Sequence, residues 1–318
     1  MALKGTNIIV TGGTGFIGSH LVAKLTELGA NVIVPYQSIN PGSYFKTQNL
    51  QDKVTLAICD LKNFERVLDM VCKYEANYIF HLAAQPIVTV AYDNPRETYA
   101  TNIMGTVNIL ESARLYNKVL GVLVTSSDKA YGKIPRASEK NHVGGDHPYE
   151  TSKASADLIS FDYFKTYKLP IVVTRFGNVY GEGDLNFNRI VPGIMKSLIL
   201  DETFLIRSNG KFIRDYVYVG DVIDSMIKLI SNINKTKGEA YNVSSLENLS
   251  VLEVVAKINK ILGVKIDFRI LSSAINEIPK QSVNFNKIKK TFGWKPKGNF
   301  QNSVVEIQRW YQDYFKGH

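Results

Sequence analysis

Tyr149 and Lys153 stand four residues apart at the start of an amphipathic stretch, so a helix there carries both on one face. A lysine beside a phenol stabilises the ionised form, which makes Tyr149 a candidate general base. Tyr-x-x-x-Lys alone is common on surface helices, and its weight here comes from what precedes it. The apolar run Gly121 to Thr125 continues into Ser126-Ser127-Asp128-Lys129-Ala130-Tyr131, and open α/β sheets bind ligands at the carboxyl ends of their strands. Hydroxyl, carboxyl, amine and phenol gathered at one strand end form a set suited to moving protons.

A second constellation suits binding. In Thr11-Gly12-Gly13-Thr14-Gly15-Phe16-Ile17-Gly18 three glycines recur every third residue where an apolar run gives way to a helical pattern. Gly12 permits a tight turn, Gly15 lets a pyrophosphate approach the backbone, and Gly18 allows close helix packing, with the helix N-terminus facing the anion. One part of the dinucleotide fingerprint is missing. The second run ends Val34-Pro35-Tyr36-Gln37, with neither the Asp or Glu that binds a ribose 2′-hydroxyl nor an Arg for a 2′-phosphate. A dinucleotide is expected, and these residues leave NAD and NADP both open. Asp60, after the third run, is a candidate contact on the adenine side.

The elements that must position these residues are legible as alternation. Short apolar runs at Asn7–Val10, Asn31–Pro35, Val54–Ile58, Tyr78–Leu82, Gly121–Thr125 and Ile171–Thr174 are separated by helical patterns such as Ile17, Leu21, Leu25 and Leu28, which ends at Gly29. This predicts an α/β fold, a Rossmann-type doubly wound parallel sheet. After about Phe176 the texture turns to Gly/Asn/Asp-rich segments with short helices. The expectation is a dinucleotide-binding domain over 1–175 and a smaller C-terminal α/β substrate-binding region over 176–318, interleaved with the first.

With 318 residues, 45% of them hydrophobic, the chain can bury a large core. Cys59 and Cys72 are too few for a disulfide scaffold, and the lack of a Cys/His cluster leaves no ligand set for a metal. No apolar run reaches the roughly 18 residues of a membrane span, so a cytoplasmic protein without a membrane partner is expected. The net charge of +9 is scattered. Its densest cluster, Lys287, Lys289 and Lys290, lacks interleaved aromatics, so it reads as a solvated helix face and no nucleic-acid partner is expected.

Taken together these motifs resemble the extended short-chain dehydrogenase/reductase family, the nucleotide-sugar epimerases and dehydratases, over almost the whole chain. Thr11 to Gly18 is similar to its glycine motif and His81-Leu82-Ala83-Ala84 to its fourth-strand motif, while Ser127, Tyr149 and Lys153 match its catalytic Ser/Thr, Tyr and Lys. Arg214-Asp215-Tyr216-Val217-Tyr218-Val219 with Asp221 resembles its late nucleotide-side motif. The resemblance implies cofactor contacts from Gly12, Gly15, Phe16, Ile17, Gly18, Asp60, Leu61, Leu82, Ala83, Ala84, Tyr149 and Lys153. It implies substrate contacts from Gln85, Asn178, Arg189 and Arg214, and it places His81 beneath the cofactor. The pair Asp128-Lys129, where simple 4-epimerases need none, resembles the CDP-glucose 4,6-dehydratases, as do Ala84-Gln85-Pro86 and Gly177 to Asp184; Asp-Lys pairs also occur in some UDP-N-acetylglucosamine dehydratases.

The implied reaction oxidises C4 of a nucleotide-bound hexose, eliminates water across C5 and C6, and returns hydride to C6. Ser127 and Tyr149 serve C4, and Asp128 and Lys129 act as acid and base on the elimination. The alternatives are a 4-epimerase of the same fold and a non-catalytic dinucleotide-binding protein. The family also implies a homodimer formed through the segments Asn102–Leu115 and Glu150–Tyr167.

Overall fold

The structure is a computed structural model and describes residues 3–272 and 278–317. Its first sheet is built from β1 (Asn7–Thr11), β2 (Asn31–Tyr36), β3 (Thr55–Ile58), β4 (Tyr78–His81), β5 (Gly121–Ser127), β6 (Ile171–Phe176) and, after β7 (Asn178–Tyr180), β8 (Phe204–Ile206) and β9 (Ile213–Tyr218), β10 (Glu239–Val243). The order is β3-β2-β1-β4-β5-β6-β10, with every neighbouring pair parallel. The doubly wound α/β expectation therefore holds. The strand order reverses between β1 and β4, which opens a crevice at their carboxyl ends.

Period-two alternation divides the strand residues between two cores. Ile8, Val10, Val32, Val34, Phe80, Leu123 and Val172 pack on one face with Leu21 and Leu25 of the helix Phe16–Glu27 and Val222, Met226 and Leu229 of the helix Val219–Ser231. Their neighbours Ile9, Ile33, Ile79, Val122, Val124 and Val173 face the other way, against Val67 and Val71 of Phe64–Lys73 and Ile109, Leu110 and Ala113 of Gly105–Tyr116. Both faces are covered, so the runs read as continuously apolar.

The later part of the chain builds its own layer. Strand β9 pairs with β7, with β11 (Asn248–Ser250) and with β13 (Lys280–Gln281), while β8 pairs with β12 (Phe268–Ile270). Its core is formed by the helices Ile190–Leu200, Val251–Leu262 and Phe300–Lys316. Because β10 returns to the first sheet beside β6, the two parts are interlocked. Lys287 is not a simply solvated lysine: its Nζ lies 2.6 Å from Glu239 and 4.5 Å from the centre of the Tyr241 ring.

The helix Pro148–Tyr167 is set by Pro148 at its first position, where the missing N–H costs nothing. Its buried face is polar, carrying Tyr149, Glu150, Ser152, Lys153, Asp157 and Ser160. Asp157, fully buried, accepts from Arg175 Nε at 2.8 Å and from Ser126 Oγ at 3.1 Å. Arg175 Nη1 donates to the Tyr131 hydroxyl, which donates to Asn242 Oδ1 at 2.8 Å, and the guanidinium lies over the Tyr131 ring. This network clamps the turn after β5. Replacing Arg175 by Met strands a buried carboxylate, and urea unfolding should register a loss of about 3–5 kcal/mol; a loss under about 1 kcal/mol would refute a structural role for the pair.

Candidate functional site

The first βα turn makes a cradle that side chains would fill. Gly12 has φ +69°, and a Cβ on it would lie 2.8 Å from Ala83 N; one on Gly18 would lie 2.0 Å from the Gly12 carbonyl oxygen. Gly15 caps the helix Phe16–Glu27 in extended conformation with no side-chain cap, which leaves its first turn suited to an anion. Gly12, Gly15, Phe16, Ile17 and Gly18 line a cavity of about 1340 Å³, as do Leu82, Ala83 and Ala84 from the end of β4. This geometry fits a dinucleotide pyrophosphate. Asp60 and Leu61 line the same cavity after β3, with Asp60 Oδ1 accepting from Lys62 N at 3.0 Å. Tyr36, Gln37, Ser38 and Asn40 line it after β2.

Beneath this cradle the hydrogen bonds fix a protonation state. Thr106 Oγ1 donates to the Asn102 carbonyl at 2.7 Å, so it accepts from His81 Nε2 at 3.0 Å. His81 Nδ1 is then the acceptor, and Thr11 Oγ1 donates to it at 2.8 Å while accepting from Leu82 N and Ala83 N, each at 3.1 Å. Burial, with a smaller contribution from the Lys153 charge, lowers His81 to about 3. It is a neutral strut.

Strand β5 runs two residues past its apolar core and places Ser127 at its tip. Ser127, Asp128, Lys129, Tyr149 and Lys153 all line the cavity. Ser127 Oγ donates to Asp128 Oδ1 at 3.0 Å and accepts from Lys129 N at 3.2 Å. Burial holds the Asp128 carboxyl above the usual range, against the charges of Lys129 and Arg214 and the Ser127 hydrogen bond. Asp128 Oδ2 has no hydrogen-bond partner among the described residues. Burial also pushes Tyr149 up to about 12, opposed by the Arg189 charge and a hydrogen bond with Ser127. Lys153 donates Nζ to the Thr125 carbonyl at 3.1 Å, and the Arg189 charge favours the phenolate of Tyr149. Burial lowers Lys153 to about 8, and Asp157 opposes the shift.

At the far end Asn178, Arg189 and Arg214 line the cavity, from β7, from the residue before Ile190–Leu200, and from β9. Arg189 Nη1 binds both carboxylate oxygens of buried Asp184, at 3.1 and 3.0 Å, while keeping 39% side-chain exposure. The Gln85 side chain closes its own loop: its Oε1 accepts from Ile87 N, its Nε2 donates to the Ile87 carbonyl and Thr98 Oγ1, and its backbone N–H goes to Asn102 Oδ1, while Oε1 keeps room for one more donor. Two residues that sequence reasoning missed also line the cavity, Asp184, which pins Arg189, and Gln281, whose Oε1 accepts from Lys129 Nζ at 2.9 Å. Asp184 lies five residues before the arginine it holds, a local signal; Gln281 has none.

The family described as GDP-mannose 4,6-dehydratase has a model that matches residues 9–307. A CDP-glucose 4,6-dehydratase of Salmonella typhimurium is 28% identical, across 99% of this chain and 92% of that protein. A dTDP-glucose 4,6-dehydratase from Bacillus anthracis, solved in complex with NAD, has a TM-score of 0.85 at 27% identity and covers 98% of this chain and 99% of its own. A UDP-glucose 4-epimerase from Thermotoga maritima, solved with UDP-glucose, reaches a TM-score of 0.87 at 26% identity, covering 98% of this chain and 100% of its own. The fold is shared by enzymes of both reaction types.

The state of His81 has a measurable consequence. Unfolded, the imidazole titrates near 6.5; folded, it stays neutral to about pH 3. Below pH 6.5 the unfolded chain binds the extra proton, so this contribution to stability is complete above about 6.5 and is lost as the pH falls toward 3. His81→Asn should flatten the stability-versus-pH curve by up to about 1.4 kcal/mol per pH unit between roughly pH 6 and 4. Equal slopes in the two proteins, measured by denaturant titration, would contradict a neutral buried histidine.

Proposed function

This chain belongs to the family described as GDP-mannose 4,6-dehydratase, the NAD-dependent nucleotide-sugar dehydratases and epimerases, and from that premise we propose that it is a nucleotide-sugar 4,6-dehydratase acting on CDP-D-glucose. The observation that carries the dehydratase reading is Asp128. A carboxyl that burial biases toward its protonated form, with one oxygen unpartnered among the described residues, stands beside Lys129 in the same cavity as Tyr149. Oxidation at C4 alone requires no such pair. The similarity to the Salmonella enzyme favours the cytidine nucleotide.

NAD, when bound along Gly12 to Gly18, supplies the chemistry of taking hydride from C4 and giving it back at C6. The residues do the rest. Tyr149, as the phenolate, accepts the O4 proton, with the Arg189 charge working against the burial that favours the phenol, and the Ser127 hydroxyl orients the same oxygen. With C4 a ketone, the C5 proton is acidic; Lys129 in its amine form removes it, and protonated Asp128 donates to the departing O6. Asn178 and Arg214 meet the nucleotide diphosphate, with Arg189 held in reach by Asp184. His81 carries no proton in the reaction. Met104, Leu115, Leu158 and Tyr167 stay exposed on the helical segments around Gly105–Tyr116 and Pro148–Tyr167, which suits pairing of those helices in a homodimer. The two free thiols suit a reducing compartment such as the cytoplasm.

A second reading, a 4-epimerase in which Asp128 and Lys129 only hold the sugar, is favoured by the likeness to the Thermotoga enzyme. Incubation with CDP-, dTDP-, GDP- and UDP-glucose separates the two. The dehydratase yields a 4-keto-6-deoxy product lighter by one water, with deuterium placed at C4 recovered on the C6 methyl; an epimer that keeps O6 overturns it. Lys129→Met should slow water loss by about 10²- to 10⁴-fold, and an undiminished rate would remove Lys129 as the base.

A further inference from the structure

We propose that Gln281 is a positioning residue that fixes the direction of the Lys129 amine and offers its own amide N–H to an oxygen of the bound hexose. This rests on the dehydratase reading above. Gln281 belongs to β13, where it pairs in parallel with Arg214 of β9. The two residues that follow it are tied down: the Ser282 carbonyl accepts from Ala137 N at 3.1 Å, and Val283 N donates to Asp215 Oδ2 at 2.8 Å. Its side chain, 2% exposed, reaches the cavity and accepts from Lys129 Nζ at 2.9 Å.

Lys129 Nζ donates to Oε1, and an ammonium there can only donate, so with Lys129 charged Oε1 faces it and Nε2 faces away. That nitrogen is buried and has no partner among the described residues. Buried donors without partners are rare, and here the donor borders the cavity that holds the reacting groups. Asp128 Oδ2, which borders the same cavity, is likewise buried and without a partner among the described residues. A sugar hydroxyl or carbonyl oxygen between them would complete the set.

The choice of an amide has a chemical reason. A free amine rotates about its last carbon–nitrogen bond, and pinning one N–H restricts where its lone pair points. A neutral acceptor does this without the added negative charge that would favour the ammonium over the base. The arrangement also joins the two ends of the site, since the residue that aims Lys129 shares a strand pair with the phosphate-side Arg214.

The test is Gln281→Met in the NAD-loaded protein, mixed with CDP-glucose or with whichever of the dTDP, GDP or UDP sugars gives product. Hydride removal at C4, followed by nicotinamide absorbance, should keep its wild-type rate, while solvent-deuterium exchange at C5 and water loss fall about 10- to 100-fold. The reduced nicotinamide then accumulates. Calorimetric affinity for the sugar nucleotide should weaken roughly threefold to tenfold. If oxidation and elimination slow by the same factor, or elimination is unchanged, the proposal fails. Lys129→Met run alongside separates the causes. Intact elimination in that variant sinks the acid/base reading, whereas its loss there and its survival in Gln281→Met sinks only the role of Gln281. Should the Met variant not fold, Gln281→Asn withdraws the amide by one methylene with the same expected outcomes.

Discussion

At the reversal point of the first sheet, Thr11 Oγ1 serves three partners: it donates to His81 Nδ1 and accepts from the Leu82 and Ala83 amides. One hydroxyl thereby ties β1 to the chain leaving β4 with all its hydrogen-bonding capacity in use. The same junction brings Ala83 so close to Gly12 that no side chain fits between them. The shape of the phosphate cradle and the neutrality of His81 are thus two consequences of one contact. A charged imidazole would need a second acceptor where Thr11 presents a proton, and burial already disfavours it.

Desolvation organises the chemistry above that floor. Asp128, Tyr149 and Lys153 are buried, and burial moves each toward its uncharged form, the acids up and the lysine down. Burial pushes Asp157 up as well, but there the Arg175 guanidinium and the Ser126 hydroxyl oppose the shift under the turn after β5. Proton transfer needs both protonation states within reach, and burial that raises an acid such as Asp128 makes its protonated form easier to reach.

Much of this was legible from residue order. Alternating apolar strands, three glycines at the first turn and polar residues just past Thr125 placed the cradle and Ser127 to Lys129 at one sheet edge, because periodicity and chain direction are local properties. Side-chain partners were not legible, because they depend on register and rotamer. Gln85 stands beside the cavity motif, and its amide bonds the backbone of Ile87 two residues on. Lys153 shares a helix face with Tyr149, yet it spans to the Thr125 carbonyl. Gln281 meets Lys129 only because a two-residue strand adds to β9 in one register; a slip of one residue would send its side chain to the opposite face.

That register is itself secured from the first sheet. Asn242 of β10 accepts from Tyr131 and donates through Nδ2 to the carbonyls of Ala137 and Asn284, while its backbone N–H goes to Glu139. A single saturated amide thus links the turn carrying Asp128 and Lys129, the loop that bridges to Val283, and the segment just after β13. Asp215 adds a second link by accepting from Val283 N. The return of β10 to the first sheet is therefore more than an extra strand. It makes the wall that bears Gln281 and the floor that bears Lys129 parts of one hydrogen-bonded body, which brings the two side chains within 2.9 Å of each other.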